Sequence, residues 1–475
     1  MAARDQVVDR LKARFPYEAT DSQLIAIGKL ADFVTDPDPA SLFLLRGYAG
    51  TGKTSLVSSL VQVLKDYRVQ SVLLAPTGRA AKVLGSYAGR RAHTIHKAIY
   101  YQKVQPDGSV HLELAANRMH RVLFIVDEAS MITSTASSGQ GFESRNVLAD
   151  LFQYVYTGDR CRLLLIGDTA QLPPVGMDIS PALDARLLKA SFHLKMYEVE
   201  LTDVVRQALD SGILSNATFL RQKIKDEDYS LPLLELGIYS DILKISGYEL
   251  QEALQEHCSG DQLEDSVIIT RSNKRANLFN QEIRGRMLYR EEELNAGDLL
   301  MVVRNNYFWL EPESQAGFIA NGDIIEVLRL ANHQERYGLR FAEIRFRMLD
   351  YPDQPAVTAT IVLDALNSPG PALTSEDQDK LYQGVSQDHV HIQNRQARLE
   401  AIRSDPWYNA LQVKFAYALT CHKTQGGQWR NVFVDQGYLR EGMVDKEFLR
   451  WLYTAITRGT ERVYLVGFSD RVADS

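Results

Sequence analysis

The chain has 475 residues, 45% of them hydrophobic and 24% charged, a soluble globular composition too long for a single core. Its net charge of −7 decides nothing about nucleic acid, because a channel lined with Lys and Arg can sit inside an acidic exterior. No apolar run nears the ~18 residues of a membrane span, the opening MAARDQVVDRLKARF lacks a secretory pattern, and Cys161, Cys258 and Cys421 have no paired spacing, so a cytoplasmic protein without disulfides or zinc is expected.

From the N-terminus, short apolar runs alternate with amphipathic stretches. Residues 42–45 read as a buried strand, and Leu56, Val57, Leu60, Val61 and Leu64 share one face of the helix that follows. Residues 72–74, 122–126 and 163–166 are further buried strands, and this alternation predicts a parallel sheet covered by helices. Gln105-Pro106-Asp107-Gly108 is a turn signal inside 100–118, which reads as a β-hairpin, and 134–141 (STASSGQG) reads as a loop. Strands at 267–269, 432–434 and 463–466, the last preceded by a helix carrying Phe448, Leu449, Leu452, Tyr453 and Ile456, predict a second α/β unit. Residues 295–410 break the rhythm. Strand-like segments around Gly297-Asp298 and Asn321-Gly322-Asp323, where Asn-Gly suits a tight hairpin, lead through Ser368-Pro369-Gly370-Pro371 to polar helices. A small β barrel with a helical projection, inserted in the second unit, is expected there.

Gly47-Tyr48-Ala49-Gly50-Thr51-Gly52-Lys53-Thr54 matches the phosphate loop G-x-x-x-x-G-K-[ST], with a strand before it and a helix after it. Gly47, Gly50 and Gly52 let backbone N–H groups wrap phosphates, and the helix N-terminus adds positive potential. Lys53 neutralises the phosphates of ATP, Thr54 binds Mg²⁺, and Ser55 lies beside it in the first turn. The strand at 122–126 delivers two adjacent acids, Asp127 for the Mg²⁺ shell and Glu128 as general base for the attacking water. On its own such a pair is usually a solvated strand end; beside a phosphate loop the catalytic reading is preferred.

The remaining segments, in order and spacing from about residue 20 to 466, resemble the motif set of superfamily 1 helicases, close to the RecD and Dda branch. The resemblance implies that Gln23, in Thr20-Asp21-Ser22-Gln23, reads adenine. It implies that Pro76 and Thr77, in 75–81, and His96, in 94–97, touch the DNA backbone. Gln171, in 167–174, is placed between γ-phosphate and DNA. Arg206 (201–207) and Arg458 (453–458) are implied as arginine fingers, which in this chemistry supply ~10³–10⁵ in rate, although either alone would read as a surface or interdomain salt bridge. Because both lie in the second unit, ATP would glue the units together and hydrolysis would release them. The resemblance implies that Thr420, His422 and Lys423, in 417–426, hold a phosphodiester, where a lone His-Lys pair would read as solvated surface, and Gln428 stands where many relatives have Glu to bond the ribose. The hairpin resembles the pin that splits the duplex. Tyr100 and Tyr101 at its start either stack on a base or anchor the hairpin to the core. Arg395, Arg398 and Arg403 read as a solvated face ahead of a DNA contact, and His389 and His391 as surface.

The fold class expected is α/β: two RecA-like P-loop domains, with a β-hairpin insertion in the first and an SH3-like plus helical insertion in the second. The first domain covers 1–99 and 119–203 around the hairpin at 100–118; the second covers 204–294 and 411–475 around the insertion at 295–410. The expected function is ATP- and Mg²⁺-dependent translocation, 5′→3′, on single-stranded DNA by a monomer, opening forked or tailed duplex DNA, with no membrane involved. The alternatives are a DNA-stimulated ATPase that remodels protein–DNA complexes and a RecD-type subunit of a larger assembly.

Overall fold

The structure is a computed structural model, and it describes all residues except 1, 105–109, 135–144, 205–209, 258–259, 312–313, 440–441, 470–471 and 475. The turn at Gln105 to Gly108, nearly all of the loop at 134–141, Arg206 and Cys258 therefore lie outside the described residues.

Strands of the first unit are β1 (Ser41–Gly47), β2 (Gln70–Ala75), β3 (Ala92–Thr94), β6 (Val122–Val126), β7 (Arg162–Gly167) and β8 (Lys195–Leu201), with β4 (Tyr100–Val104) and β5 (Val110–Leu114) between β3 and β6. The sheet order is β3-β2-β6-β7-β1-β8, and every pairing in it is parallel. All five residues of β6 are buried, as a strand covered on both faces requires. The helix Lys53–Asp66 buries Leu56, Val57, Leu60, Val61 and Leu64, the face read from the sequence. Because the strands run parallel, the turns after β1, β6 and β7 leave the sheet at one edge. β4 and β5 form a separate antiparallel hairpin, paired from Tyr100↔Leu114 to Val104↔Val110.

In the second unit, after the two-residue β9 (Leu234–Glu235), come β10 (Ile242–Ile245) and β11 (Ser266–Thr270). The barrel follows: β12 (Leu299–Val302), β13 (Ile324–Arg336), β14 (Leu339–Met348), β15 (Val357–Val362) and β16 (Leu411–Phe415), closed on itself. The chain then returns through β17 (Ala418–Thr420), β18 (Trp429–Asp435) and β19 (Gly459–Val466), giving a parallel sheet of order β10-β19-β18-β11-β17.

Two sequence expectations are corrected here. The last barrel strand is β16, beyond position 410, because β12 and β15 both need it to close the ring. Asn321-Gly322 is not a two-residue hairpin: it turns the chain into β13, with Gly322 at φ 96. The tight hairpin is Tyr337-Gly338 between β13 and β14, both residues at positive φ (56 and 72), as the right-handed twist of the strands favours.

The helices Ser375–Asp388 and Arg395–Arg403 project between β15 and β16, packing Leu381, Val385 and Ile402 against Phe341. Arg395 is exposed, and Arg398 donates to the Ser386 carbonyl (2.8 Å). At the barrel root, Asp298 is fully buried between Arg284 (3.0 Å) and Arg290 (2.5 Å) and accepts the Tyr417 hydroxyl (2.8 Å). A buried charge so fully paired fixes the barrel's seat on the second sheet. Among the described residues no helix is long and apolar enough to cross a membrane.

Candidate active site

The phosphate loop leaves β1 at Gly47, where a Cβ would stand 3.0 Å from both Leu201 Cβ and Thr51 Oγ1. Gly50 and Gly52 hold left-handed backbone (φ 72 and 81), which only glycine adopts at little cost. The helix begins at Lys53, so Thr54 and Ser55 lie half-buried in its first turn. Lys53 Nζ donates to the carbonyls of Gly47 (2.7 Å) and Tyr48 (2.8 Å). Gln23 is wholly buried. Its Nε2 donates to Thr51 O (2.9 Å) and its Oε1 accepts the Thr20 N–H (2.9 Å), so it braces the loop while capping its own helix. These two bonds leave one N–H and one lone pair of that amide uncommitted.

β6 carries Asp127 to the same sheet edge, followed by Glu128 at φ 52, an uncommon conformation for a residue with a side chain. Asp127 Oδ1 accepts the Glu128 N–H (2.8 Å). Desolvation and the neighbouring Glu128 carboxylate push Asp127 up to about 6, against the pull of Lys53. Gln171 is 6% exposed and its Oε1 is buried with no donor. An ammonium bonded only to its own loop, two crowded carboxylates and an idle buried acceptor fit a triphosphate, a divalent cation and a water.

The second unit closes on the turn that holds Gln171. Thr454 Oγ1 accepts the Leu172 N–H (2.9 Å), Gln425 Nε2 donates to Leu172 O (2.6 Å), and Arg450 donates to Asp178 O (2.5 Å). Arg458 is 5% exposed and donates to the carbonyls of Thr454 (3.1 Å) and Gly427 (3.3 Å), both in its own unit. Gln428, expected at the ribose, is instead exposed in a groove with Arg79, Lys82, Glu264 and Asp350, and no phosphate-loop residue lines that groove. The reason is the adjacent contact: Arg79 lies 3.8 Å above the Trp429 ring and donates to Gln428 O (3.3 Å), pinning this stretch to the first unit.

Comparison with known proteins agrees with this layout. The profile of the AAA domain family matches residues 28–229, and that of the UvrD-like helicase C-terminal domain matches residues 415–466. These two matches, with the relatives below, support a superfamily 1B helicase. The chain is similar to the ATP-dependent RecD2 DNA helicase of Deinococcus radiodurans, 33% identical over 37% of this chain and 21% of that protein. It is also similar to the ATP-dependent DNA helicase dda of Enterobacteria phage T4, 25% identical over 54% of this chain and 55% of that protein. The matched stretches thus span about a fifth and about half of these two relatives. The crystal structure of the Bacteroides Pif1 helicase in complex with ADP-AlF3 and ssDNA is 15% identical, covers 97% of this chain and 95% of its own, and gives a TM-score of 0.46.

The segments expected to lie along DNA come from both units, and 75–81 meets 417–426. Thr77 caps the helix Gly78–Ala88 by accepting the Ala80 N–H (3.2 Å), with Pro76 half-buried before it. Gly426, at φ 73, packs on that cap: a Cβ there would stand 2.7 Å from Ala80 Cβ and 3.2 Å from Thr77 Oγ1. Thr420 precedes the short helix Cys421–Thr424, which carries His422 and Lys423. Burial pushes the His422 imidazole down, and burial with the charge of Lys414 pushes Lys423 down to about 8. The Lys423 ammonium is buried with no hydrogen-bond partner. Lys97 reaches the barrel, donating to Ala316 O (2.9 Å).

The stacking role considered for Tyr100 is corrected. Tyr100 is 8% exposed, donates to Asp150 Oδ2 (2.7 Å) and lies against His96 (5.6 Å between rings), whose imidazole burial also pushes down. It anchors the hairpin to the first unit, whereas Tyr101 is 46% exposed. Tyr100→Ala is therefore expected to cost ~3–5 kcal/mol of stability, as other buried aromatic truncations do. Tyr100→Phe is expected to cost only ~1 kcal/mol, because Arg145 still pairs with Asp150 (2.6 Å). Denaturant unfolding of the two variants measures the difference.

Proposed function

We propose that this helicase hydrolyses ATP between its two α/β units to move 5′→3′ on single-stranded DNA, parting a duplex ahead of it. The observation that carries the reading is the double anchoring of Leu172. Its N–H is held by Thr454, two residues from the end of the helix that leads to Arg458, and its carbonyl by Gln425, beside Lys423. The turn carrying Gln171 is thus bonded to the DNA-side segment, so a shift of the second unit reaches the ATP site.

In this mechanism Lys53 and the loop N–H groups hold the phosphates, Gln171 orients the attacking water and Glu128 takes its proton. Thr54 and Asp127 would hold magnesium, which when bound would supply positive charge at the phosphates. Arg458 exchanges its carbonyl partners for the γ-phosphate on closure, with Arg206 as the second finger. Thr77, His96, Thr420, His422 and Lys423 form the DNA track. The barrel is read as the SH3-like domain, the two helices as its tower and the hairpin as the pin, with the protein acting as a monomer.

The test is ATPase and strand separation by the isolated protein on tailed duplexes. ATPase stimulated by single strands without unwinding would indicate a remodelling enzyme, and inactivity alone would indicate a subunit that needs partners. The track itself is expected to bind more weakly as salt rises, with little dependence on base sequence. Lys423→Ala should lower the slope of log affinity against log salt by about one. Because a lysine is charged below its pKa, wild-type affinity should fall as pH rises through about 8, and less so in the variant. Fluorescence-anisotropy titrations with an oligonucleotide across salt and pH check both.

A further inference from the structure

Tyr453 lies on the helix Lys446–Ile456 of the second unit and is 1% exposed. Its hydroxyl oxygen accepts the N–H of Ala49, in the phosphate loop, at 2.8 Å. Its proton goes to Asp168 Oδ2 at 2.6 Å, and Asp168 Oδ1 accepts the Ala170 N–H at 2.8 Å. Burial and the Asp168 charge push the phenol well above its usual range, so it stays protonated and can serve donor and acceptor at once. One hydroxyl therefore joins three parts: the phosphate loop, the turn carrying Gln171, and the helix that leads to Arg458.

We propose that Tyr453 is a positioning residue for ATP hydrolysis, its hydroxyl setting the placement of Gln171 relative to the phosphate loop. The inference rests on the motor reading above. Tyr453 and Thr454 are consecutive, and between them they hold Asp168 and Leu172, the two ends of the turn that presents Gln171. The loop side is intrinsically adaptable, with Gly50 and Gly52 at positive φ, so an external tie at Ala49 has something to fix. The same helix also touches the DNA-side segment: Cys421 Sγ donates to Trp451 O at 3.6 Å. A small displacement of 420–424 by DNA passes through that packing to the hydroxyl. A chain of bonds polarised from N–H to carboxylate is stiffer than its members alone.

Tyr453→Phe keeps the ring and leaves the Ala49 N–H and Asp168 each short of a partner. With the full chain and saturating oligo-dT, kcat for ATP is expected to fall about tenfold, the scale of a buried bond lost in the transition state. The Kd of a fluorescent ATP analogue should stay within about threefold, which separates positioning from loss of fold or binding. Asp168→Asn weakens the same bond from its other end and should reproduce the kcat loss. In the double variant the two losses should not multiply, since both act through one bond. A Tyr453→Phe protein with kcat within about twofold of wild type, a loss confined to Kd, or losses that multiply would each overturn the proposal. If wild type itself shows no stimulation by oligo-dT, the motor reading fails instead.

Discussion

Glu128→Gln is expected to lower ATP turnover by ~10²–10⁴-fold while leaving nucleotide binding intact, the usual contribution of a positioned general base. The substitution preserves size and shape, so the backbone at φ 52 and the turn that begins with Ala129 are not disturbed. What is lost is the basic oxygen. Lys53→Ala, by contrast, removes the ammonium that lies against the loop carbonyls and should weaken binding as well. The acid limb of the pH profile gives a second readout. Asp127, held up to about 6, takes a proton as pH falls through that value and can no longer hold a cation, so wild-type kcat/KM should drop there. Glu128 is one cause of that elevation, and in Glu128→Gln the limb should move to lower pH. Stopped assays and equilibrium binding across pH measure both effects. Turnover near the wild-type rate would remove Glu128 from the chemistry.

What could be read before folding was whatever short range determines. β6 is five apolar residues followed by two acids, and the helix after the phosphate loop repeats its buried face at helical spacing; both formed as read. The phosphate-loop glycines declare their backbone by their identity. β8 escaped notice because KMYEVEL mixes charge into an edge strand, and only its pairing with β1 defines it. β16 (LQVKF) buries Gln412 and Lys414 among its apolar residues and is separated from the rest of the barrel by a helical projection, so no local pattern assigns it there. Tyr100 illustrates the same limit. Its alternatives differed only in whether a distant carboxylate, Asp150, stood ready to accept its proton. Gln428 was placed by resemblance, and the local packing of Arg79 on Trp429 took it elsewhere. Tyr453 lay in plain view inside the last motif, yet its partners Ala49 and Asp168 are hundreds of residues away in the chain.

Unwinding is expected to require a 5′ single-stranded tail, with a 3′-tailed duplex of the same sequence left closed. The ATP chemistry cannot choose between directions, because the phosphate site and finger arginines serve either. The choice rests on the segment at 94–97 leading directly into a short hairpin, and on the compact insertion after residue 295. The opposite branch carries large helical insertions in both domains. Between residues 98 and 122 the described chain has only the end of a short helix, the strands β4 and β5, and a connection to β6. The same segment bears on the barrel through Lys97, which donates to Ala316 O (2.9 Å), so the hairpin emerges beside the element expected to help enclose DNA. The structure also refines how to test the pin. Tyr100 must be retained, because its bond to Asp150 anchors the hairpin and its loss would perturb the first unit. Replacing residues 101–111 with a short Gly-Ser turn, while keeping Tyr100, shortens the hairpin and leaves that anchor in place. Such a variant should keep its DNA-stimulated ATPase and lose strand separation on the 5′-tailed substrate. Efficient opening of the 3′-tailed duplex alone would reverse the direction and leave the ATP site as described. Unwinding that survives the trimmed hairpin would instead move strand splitting to another surface.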